Sequence, residues 1–476
     1  MEYCSFIGGE WVESTQSAAN VNPSDVSDTL GHAASAPLQD MERAIAAAET
    51  ASAAWAASTP QQRFDVLDFV GTEILARKEE LGRLLSREEG KPLVEGIGEA
   101  ARAGQIFKFF AGEALRLRGD RLASVRPGVE IDVTRSPVGV VGLITPWNFP
   151  IAIPAWKVAP ALAYGNAVVL KPAELVPGCA HAIADILSRS GLPDGVFNLV
   201  FGKGAEVGAA LVESPKVNAV SFTGSVATGR GIAAACGLRL KKVQLEMGGK
   251  NPMVVLDDAD IGIAVDACLN GAFFSTGQRC TASSRLIVTE GIHDQFVAQL
   301  SEKLSALKVG NALDSATQMG PVVDARQLQQ DLDYIEIARS EGGKIIGGQR
   351  INGEAEGFYL SPALITETHN AMRINREEVF GPVASVIRVK DYDEALMVAN
   401  DTEFGLSSGI CTTSLKHATH FKANAEAGMV MVNLPTAGVD YHVPFGGSKG
   451  SSFGSREQGS YAAEFYTTVK TAYMFA

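Results

Sequence analysis

Histidine and cysteine are scarce in this sequence, with 7 and 6 residues among 476. Cys4, Cys179, Cys236, Cys268, Cys280 and Cys411 stand far apart, with no Cys-x-x-Cys pair and no His-rich neighbourhood. That spacing argues against a disulfide framework and a structural zinc site; free thiols in a reducing compartment and no bound metal are expected. Positive charge is also in deficit: 41 Lys and Arg against 54 Asp and Glu give a net charge of -13. Such a balance opposes docking on a phosphate backbone or an anionic bilayer, so neither nucleic acid nor membrane is expected as a partner. The opening residues lack the basic start and continuous apolar run of a secretory signal, and a cytoplasmic protein is expected. Residues 138–156 carry no charge and are long enough to test as a membrane span, but Pro146, Asn148, Pro150 and Pro154 would break a spanning helix. No short-period repeat and no low-complexity segment is present.

What is present is an ordinary globular composition, 46% hydrophobic and 20% charged. Single cores stop growing at about 250–300 residues, so two or three domains are expected. Residues 41–114, rich in Ala, Leu, Glu and Arg with apolar positions at helical spacing, predict several consecutive helices covering a sheet. Residues 129–135 alternate apolar and polar, the pattern of a strand with one exposed face that could pair with another subunit. Short β-branched runs at 140–144, 167–170, 196–200, 219–222 and 243–245 alternate with helix-length connections. They predict a parallel doubly wound α/β sheet with ligands at its carboxyl edge. A second series at 253–256, 285–288, 383–389 and 429–432 predicts a second domain of the same class, with chemistry in the cleft between them.

Within this frame a few side chains stand where chemistry is expected. Cys280, in STGQRCT, follows a helix ending at a glycine and precedes a strand. A thiol on such a turn can face a cleft, and with a pKa of about 8.5 is already partly thiolate at neutral pH; a buried inert cysteine is the competing reading. Glu246 closes an apolar strand before Met247, Gly248 and Gly249, where desolvation would raise its pKa toward values useful for activating water; an ion pair with Lys250 is the alternative. Asn148, between Pro146 and Pro150, could donate its amide to an oxyanion or simply form a turn. Lys171 and Glu174 end the second parallel strand, where an acid can accept from ribose hydroxyls. Gly204 with Gly208, and Phe222, Gly224 and Ser225, precede helical patterns that could seat a pyrophosphate, although neither fits the dinucleotide fingerprint.

The ordered set PWNFP at 146–150, KPAE at 171–174, FTGS at 222–225, LEMGGK at 245–250, GQRC at 277–280, EEVFGP at 377–382 and PFGGSK at 444–449 resembles the aldehyde dehydrogenase superfamily along essentially the whole chain. The resemblance implies two doubly wound Rossmann-like domains and a β oligomerisation element. Residues 1–118 and 138–247 would bind NAD(P), 248–450 would form the catalytic domain, and 119–137 with 465–476 the oligomerisation element of a homodimer or homotetramer. It implies Cys280 as nucleophile, Glu246 as base for thioester hydrolysis, and Asn148 with the Cys280 backbone N–H as oxyanion hole. Thr145, Pro146, Trp147, Lys171, Glu174, Gly204, Gly208, Phe222, Gly224, Ser225, Gly248, Glu378 and Phe380 would hold the cofactor, NAD being favoured and NADP possible. The presence of Glu246 favours hydrolysis over transfer to coenzyme A.

For the aldehyde, the stretch 433–445 is similar to bacterial α-ketoglutaric semialdehyde dehydrogenases, with succinic semialdehyde dehydrogenases as close relatives. Both call for a cation facing a substrate carboxylate. Trp156 stands where the succinic semialdehyde branch has an arginine, so Arg279 or Lys108 is expected to substitute, unless Arg279 points to solvent. Thr281 and Phe445 complete the expected substrate residues, and Trp156 would equally suit an apolar or aromatic aldehyde. A catalytically silent structural relative is the reading of a different class.

Overall fold

In the computed structural model of the chain, residues 2–14, 16–353 and 355–475 are described. Met1, Thr15, Glu354 and Ala476, which fall in the expected domain spans and tail element, lie outside the described residues. The helical stretch resolves into α1 (Leu38–Ala56), α2 (Pro60–Ala76), α3 (Lys78–Glu89) and α4 (Leu93–Ala114). Local chemistry sets their limits: Thr59 and Gln62 form a reciprocal capping box with Pro60 at the start of α2, and Gly90 ends α3 in the left-handed conformation. α4 packs on α2, α3 and a later helix, α5 (Ala152–Ala163), which is buried along its whole length. Among the described residues no helix is long and apolar enough to cross a membrane.

The first large sheet has the order Ser452–Phe453, Lys242–Glu246, Ala219–Thr223, Val140–Ile144, Ala167–Lys171, Phe197–Leu199, Ser5–Ile7 and Glu10–Val12. The strands between Lys242–Glu246 and Phe197–Leu199 are mutually parallel. Strand order reverses between Val140–Ile144 and Ala219–Thr223, so a crevice opens at the carboxyl ends of these two strands. The second sheet runs Lys344–Gly347, Ala363–Thr368, Val383–Val389, Ser283–Thr289, Asn251–Val255, Ser407–Cys411 and Met429–Val432, parallel except for Lys344–Gly347 at one edge. A third, antiparallel sheet places Val129–Pro137 between Asp120–Ala123 and Thr467–Phe475. The alternating exposure expected for residues 129–135 is present, and almost the whole of Thr467–Phe475 is exposed.

Candidate active site

The site grows from loops at the carboxyl edge of the first large sheet and at the amino edge of the second, where Cys280 precedes Ser283–Thr289 and Glu378 precedes Val383–Val389. The loop after Val140–Ile144 carries Thr145, Pro146, Trp147 and Asn148, and is anchored from α4 and the link that precedes it. Lys91 Nζ donates to the Asn148 carbonyl at 2.8 Å and to Glu99 Oε2 at 2.7 Å, while Glu99 Oε1 accepts the Ile151 and Ala152 amides. Asn148 is buried, and its Nδ2 donates to the Gln278 carbonyl at 2.9 Å, tying this loop directly to the one that bears Cys280. Trp147 meets Phe380 edge to face, with centroids 5.4 Å apart. Thr145 is buried with an unpartnered hydroxyl.

Cys280 follows a tightly wound turn in which Ser275, Thr276 and Gly277 have φ of 50°, 57° and 65°. Glycine is required at the last of these, because a methyl group at Gly277 would lie 2.2 Å from the Gly381 carbonyl oxygen. The turn is held by Glu95 of α4, which accepts from the Ser275 hydroxyl and amide, and by Thr276 Oγ1 donating to the Gly320 carbonyl at 3.2 Å. Beyond it, Asn251 Nδ2 donates to the Cys280 and Ala282 carbonyls, and Thr436 Oγ1 donates to the Thr281 carbonyl at 2.6 Å. Burial pushes the Cys280 thiol well above its ordinary range, and the Glu246 and Glu378 carboxylates push it further. Carboxylates from two separated segments therefore act on one sulfur.

Glu246 ends Lys242–Glu246 and is 2% exposed. Ser452 Oγ donates to its Oε2, and Gln244 Nε2 to its Oε1 at 3.2 Å. Burial, and then the neighbouring Glu457, raise its carboxyl well above 4.5, against the Ser452 hydrogen bond and the positive charges of Lys157 and Arg456. The alternative pairing with Lys250 is not formed: Lys250 is buried, and the acids acting on it are Glu378 and Glu377. Glu378 Oε1 accepts the Gly249 amide at 2.8 Å, and Gly248 allows this approach because a methyl group there would lie 1.9 Å from Glu378 Oε2. Desolvation pushes the Glu378 carboxyl up to about 7.

At the carboxyl edge of the first sheet, a cavity of about 290 Å³ is lined by Ile144, Gly204, Gly208, Phe222 and Thr228 among others. Ser225 caps the helix Val226–Leu238 by accepting from the Thr228 amide, and a side chain at Gly224 would collide with the Phe222 ring. Lys171 is buried, with Nζ 3.4 Å from Glu174 Oε1, which also accepts the Gly204 amide at 3.0 Å. Of the residues expected around a dinucleotide, Gly204, Gly208 and Phe222 line this cavity, and the Lys171–Glu174 pair reaches it through the Gly204 amide.

A second cavity, of about 650 Å³, opens beside Cys280; Trp156, Arg279, Thr281 and Phe445 share its wall, and Trp156 faces Phe445 with centroids 5.5 Å apart. Asn148 is absent from this wall and its neighbour Phe149 is on it. An equally large cavity lined by Leu304, Val309, Ile346 and Pro362 holds none of these residues. Two expectations about cations need correction. Lys108 points away, its Nζ bound to Asp68 and Thr72, because α4 turns that position toward α2. Arg279 is neither solvated nor free: its side chain is 12% exposed and lies 3.6 Å from Glu95. The sequence reading missed the buried Lys157–Glu457 ion pair behind Glu246, the Asn251 clamp and the cation Arg102 on the cavity wall. A lone lysine inside the apolar helix α5 was the available signal for the first.

The sequence matches the profile of the aldehyde dehydrogenase family over residues 11–472. It is 45% identical to an alpha-ketoglutaric semialdehyde dehydrogenase of Bacillus subtilis, covering 99% of this chain and 98% of the relative. It is 44% identical to an alpha-ketoglutarate semialdehyde dehydrogenase of Haloferax volcanii, covering 98% of each. Among solved structures, betaine aldehyde dehydrogenase from Staphylococcus aureus in complex with NAD+ superposes with a TM-score of 0.97 at 34% identity, over 99% of this chain and 95% of that one. Matched along nearly its whole length in sequence and in fold, the chain belongs to the aldehyde dehydrogenase family.

Proposed function

We propose that the protein oxidises a carboxylate-bearing semialdehyde, α-ketoglutaric semialdehyde foremost, to the corresponding acid with NAD(P). The observation that carries the chemistry is the placing of Cys280 on the wall of a large cavity, with Gly249, whose amide binds Glu378, packed against the Cys280 carbonyl and Glu246 ending the strand just before Gly249. The substrate is supported by the names of relatives matched along nearly the whole chain, including a 2,5-dioxopentanoate dehydrogenase of Saccharolobus solfataricus at 39% identity.

In this reading Cys280 Sγ first loses its proton to solvent, against the upward push of burial, then attacks the aldehyde carbon as thiolate and forms a thiohemiacetal. Asn148 Nδ2 retains one hydrogen beyond that given to Gln278, and with the Cys280 amide it stabilises the oxyanion. A bound nicotinamide dinucleotide supplies the acceptor for the hydride that leaves this carbon. Glu246 then takes a proton from water, which attacks the thioester and releases the acid and the thiol. Glu378 and Phe380 border the nicotinamide ribose and ring; Thr145, Pro146, Trp147 and Gly248 line the approach. Lys171 and Glu174 take the adenine-side ribose, favouring NAD. Gly204, Gly208, Phe222, Gly224 and Ser225 receive the remainder of the dinucleotide.

The domain spans proposed are 1–118 with 138–247 for the cofactor and 248–450 for catalysis. The sheet containing Thr467–Phe475 would join subunits into a cytoplasmic homodimer or homotetramer. The Trp156–Phe445 pair favours a second reading, an apolar or aromatic aldehyde. A panel of semialdehydes, aliphatic and aromatic aldehydes with NAD and with NADP separates the two. A kcat/KM for α-ketoglutaric semialdehyde below that for hexanal or benzaldehyde would overturn the first.

A further inference from the structure

Three cations line the cavity beside Cys280: Lys91, Arg279 and Arg102. Two of them are already answered. Lys91 is bound to Glu99 and to the Asn148 carbonyl, and Arg279 faces Glu95. Arg102 differs. It lies on the face of α4 that also presents Glu95, Gly98 and Glu99 to the cavity, at helical spacing. Its Nη2 reaches only Gln458 Oε1, at 3.4 Å, and its buried Nε has no partner. Among the described residues no carboxylate forms an ion pair with it; Glu99 and Asp440 act on it only at longer range.

A guanidinium carries five donors in a planar fork and remains protonated even when burial opposes its charge. Held in a partly desolvated site without an anion, it costs free energy that an incoming carboxylate would recover. Two more buried donors lack partners close by in the fold, Trp156 Nε1 and Gln458 Nε2. Trp156 is on the cavity wall against Phe445, and Phe445 pairs through its backbone with Glu457, the residue before Gln458. Arg102 and Trp156 thus both stand on the wall of the cavity that also holds Cys280, with Gln458 against Arg102.

We infer that Arg102 receives the far carboxylate of the substrate, so that the cavity selects short aldehydes ending in an acid and presents their aldehyde carbon to Cys280. The inference rests on the proposed semialdehyde function, and the test separates the two. The quantity read is the ratio of kcat/KM for α-ketoglutaric semialdehyde to that for pentanal. Arg102→Gln is expected to lower this ratio about 10- to 100-fold, the usual worth of one charge-assisted contact, chiefly through the KM of the acid. Arg102→Lys is expected to recover part of it. Thermal unfolding of each variant checks that it is folded; if Arg102→Gln is not, Arg102→Met, uncharged and of similar reach, gives the same reading. An unchanged ratio in a wild type that prefers the acid overturns the role of Arg102 and leaves the function standing. A wild type with no preference for the acid overturns both.

Discussion

Asn251 Nδ2 donates to the carbonyl oxygen of Cys280 at 2.7 Å, so the residue that opens the strand Asn251–Val255 fixes the backbone of the sulfur-bearing turn. The same nitrogen donates to the Ala282 carbonyl at 2.9 Å, and Asn251 Oδ1 accepts the Ser407 amide at 3.0 Å. One buried amide thus joins the turn to two neighbouring strands of the second sheet. Asn251→Ala would strand these groups at a cost of about 1–3 kcal/mol and let the sulfur drift. A lower denaturant midpoint together with a lower kcat is expected. A variant with normal kcat would show that the clamp does not position the nucleophile.

Glu246→Gln should release one rapid equivalent of NADH per site and then stall, since oxidation precedes the step that needs the carboxylate. Stopped-flow absorbance checks this, and steady turnover in the variant contradicts the assignment. Because burial and Glu457 hold this carboxyl above 4.5, its base form, and with it thioester hydrolysis, should increase as pH rises through the elevated value.

The same shift fixes a sign for stability. A folded state that binds the Glu246 proton more tightly than the unfolded chain loses stability as pH rises from about 4.5 toward the folded value. Glu246→Gln should therefore gain stability relative to wild type at pH 8 compared with pH 4. A denaturant-midpoint difference that is the same at both pH values would refute it.

Gly248→Ala should displace Glu378 from the Gly249 amide, because the added methyl group would meet a carboxylate oxygen at 1.9 Å. We expect the KM for NAD to rise about tenfold, as for a lost hydrogen bond to a charged group. In the wild type, with Glu378 pushed up to about 7, NAD should bind more tightly as pH rises through neutrality. Glu378→Gln should flatten that dependence in a fluorescence titration.

The nine-residue strand Thr467–Phe475 is a sheet edge with Val469, Tyr473 and Phe475 exposed. Such an edge is a template for pairing with another chain. Val469→Glu with Tyr473→Glu should give monomers by sedimentation at micromolar concentration, whereas wild type should run as a dimer or tetramer. A monomeric wild type would remove the edge from consideration as an interface.

Legibility of the fold followed the density of β-branched side chains. Val383–Val389 coincides with its apolar run, since a parallel strand buried on both faces needs such residues, and Met429–Val432, half-buried at the sheet edge, coincides as well. Ser407–Cys411, interior but next to the edge of the same sheet, escaped because its composition is polar and glycine-containing. Met253 lies so close that a methyl group on Gly409 would be 2.7 Å from its sulfur. The hairpin of Ser5–Ile7 and Glu10–Val12 was announced only by Gly8-Gly9, whose φ values of 62° and 93° suit a two-residue turn. At the site, short linear motifs flagged Cys280, Glu246 and Asn148. Lys157 and Glu457 stand 300 residues apart, and only the tertiary fold makes their pairing visible.

The left-handed run at Ser275, Thr276 and Gly277 bears on how the protein matures. Non-glycine residues in that conformation each cost about 1–3 kcal/mol, which the isolated segment has no means to offset. The opposing contacts come from Glu95, long since synthesised, and from Gly320, still to come. A nascent chain that has emerged only as far as Cys280 therefore lacks part of the brace for the turn that carries this thiol, and the brace is complete only once residue 320 has been made.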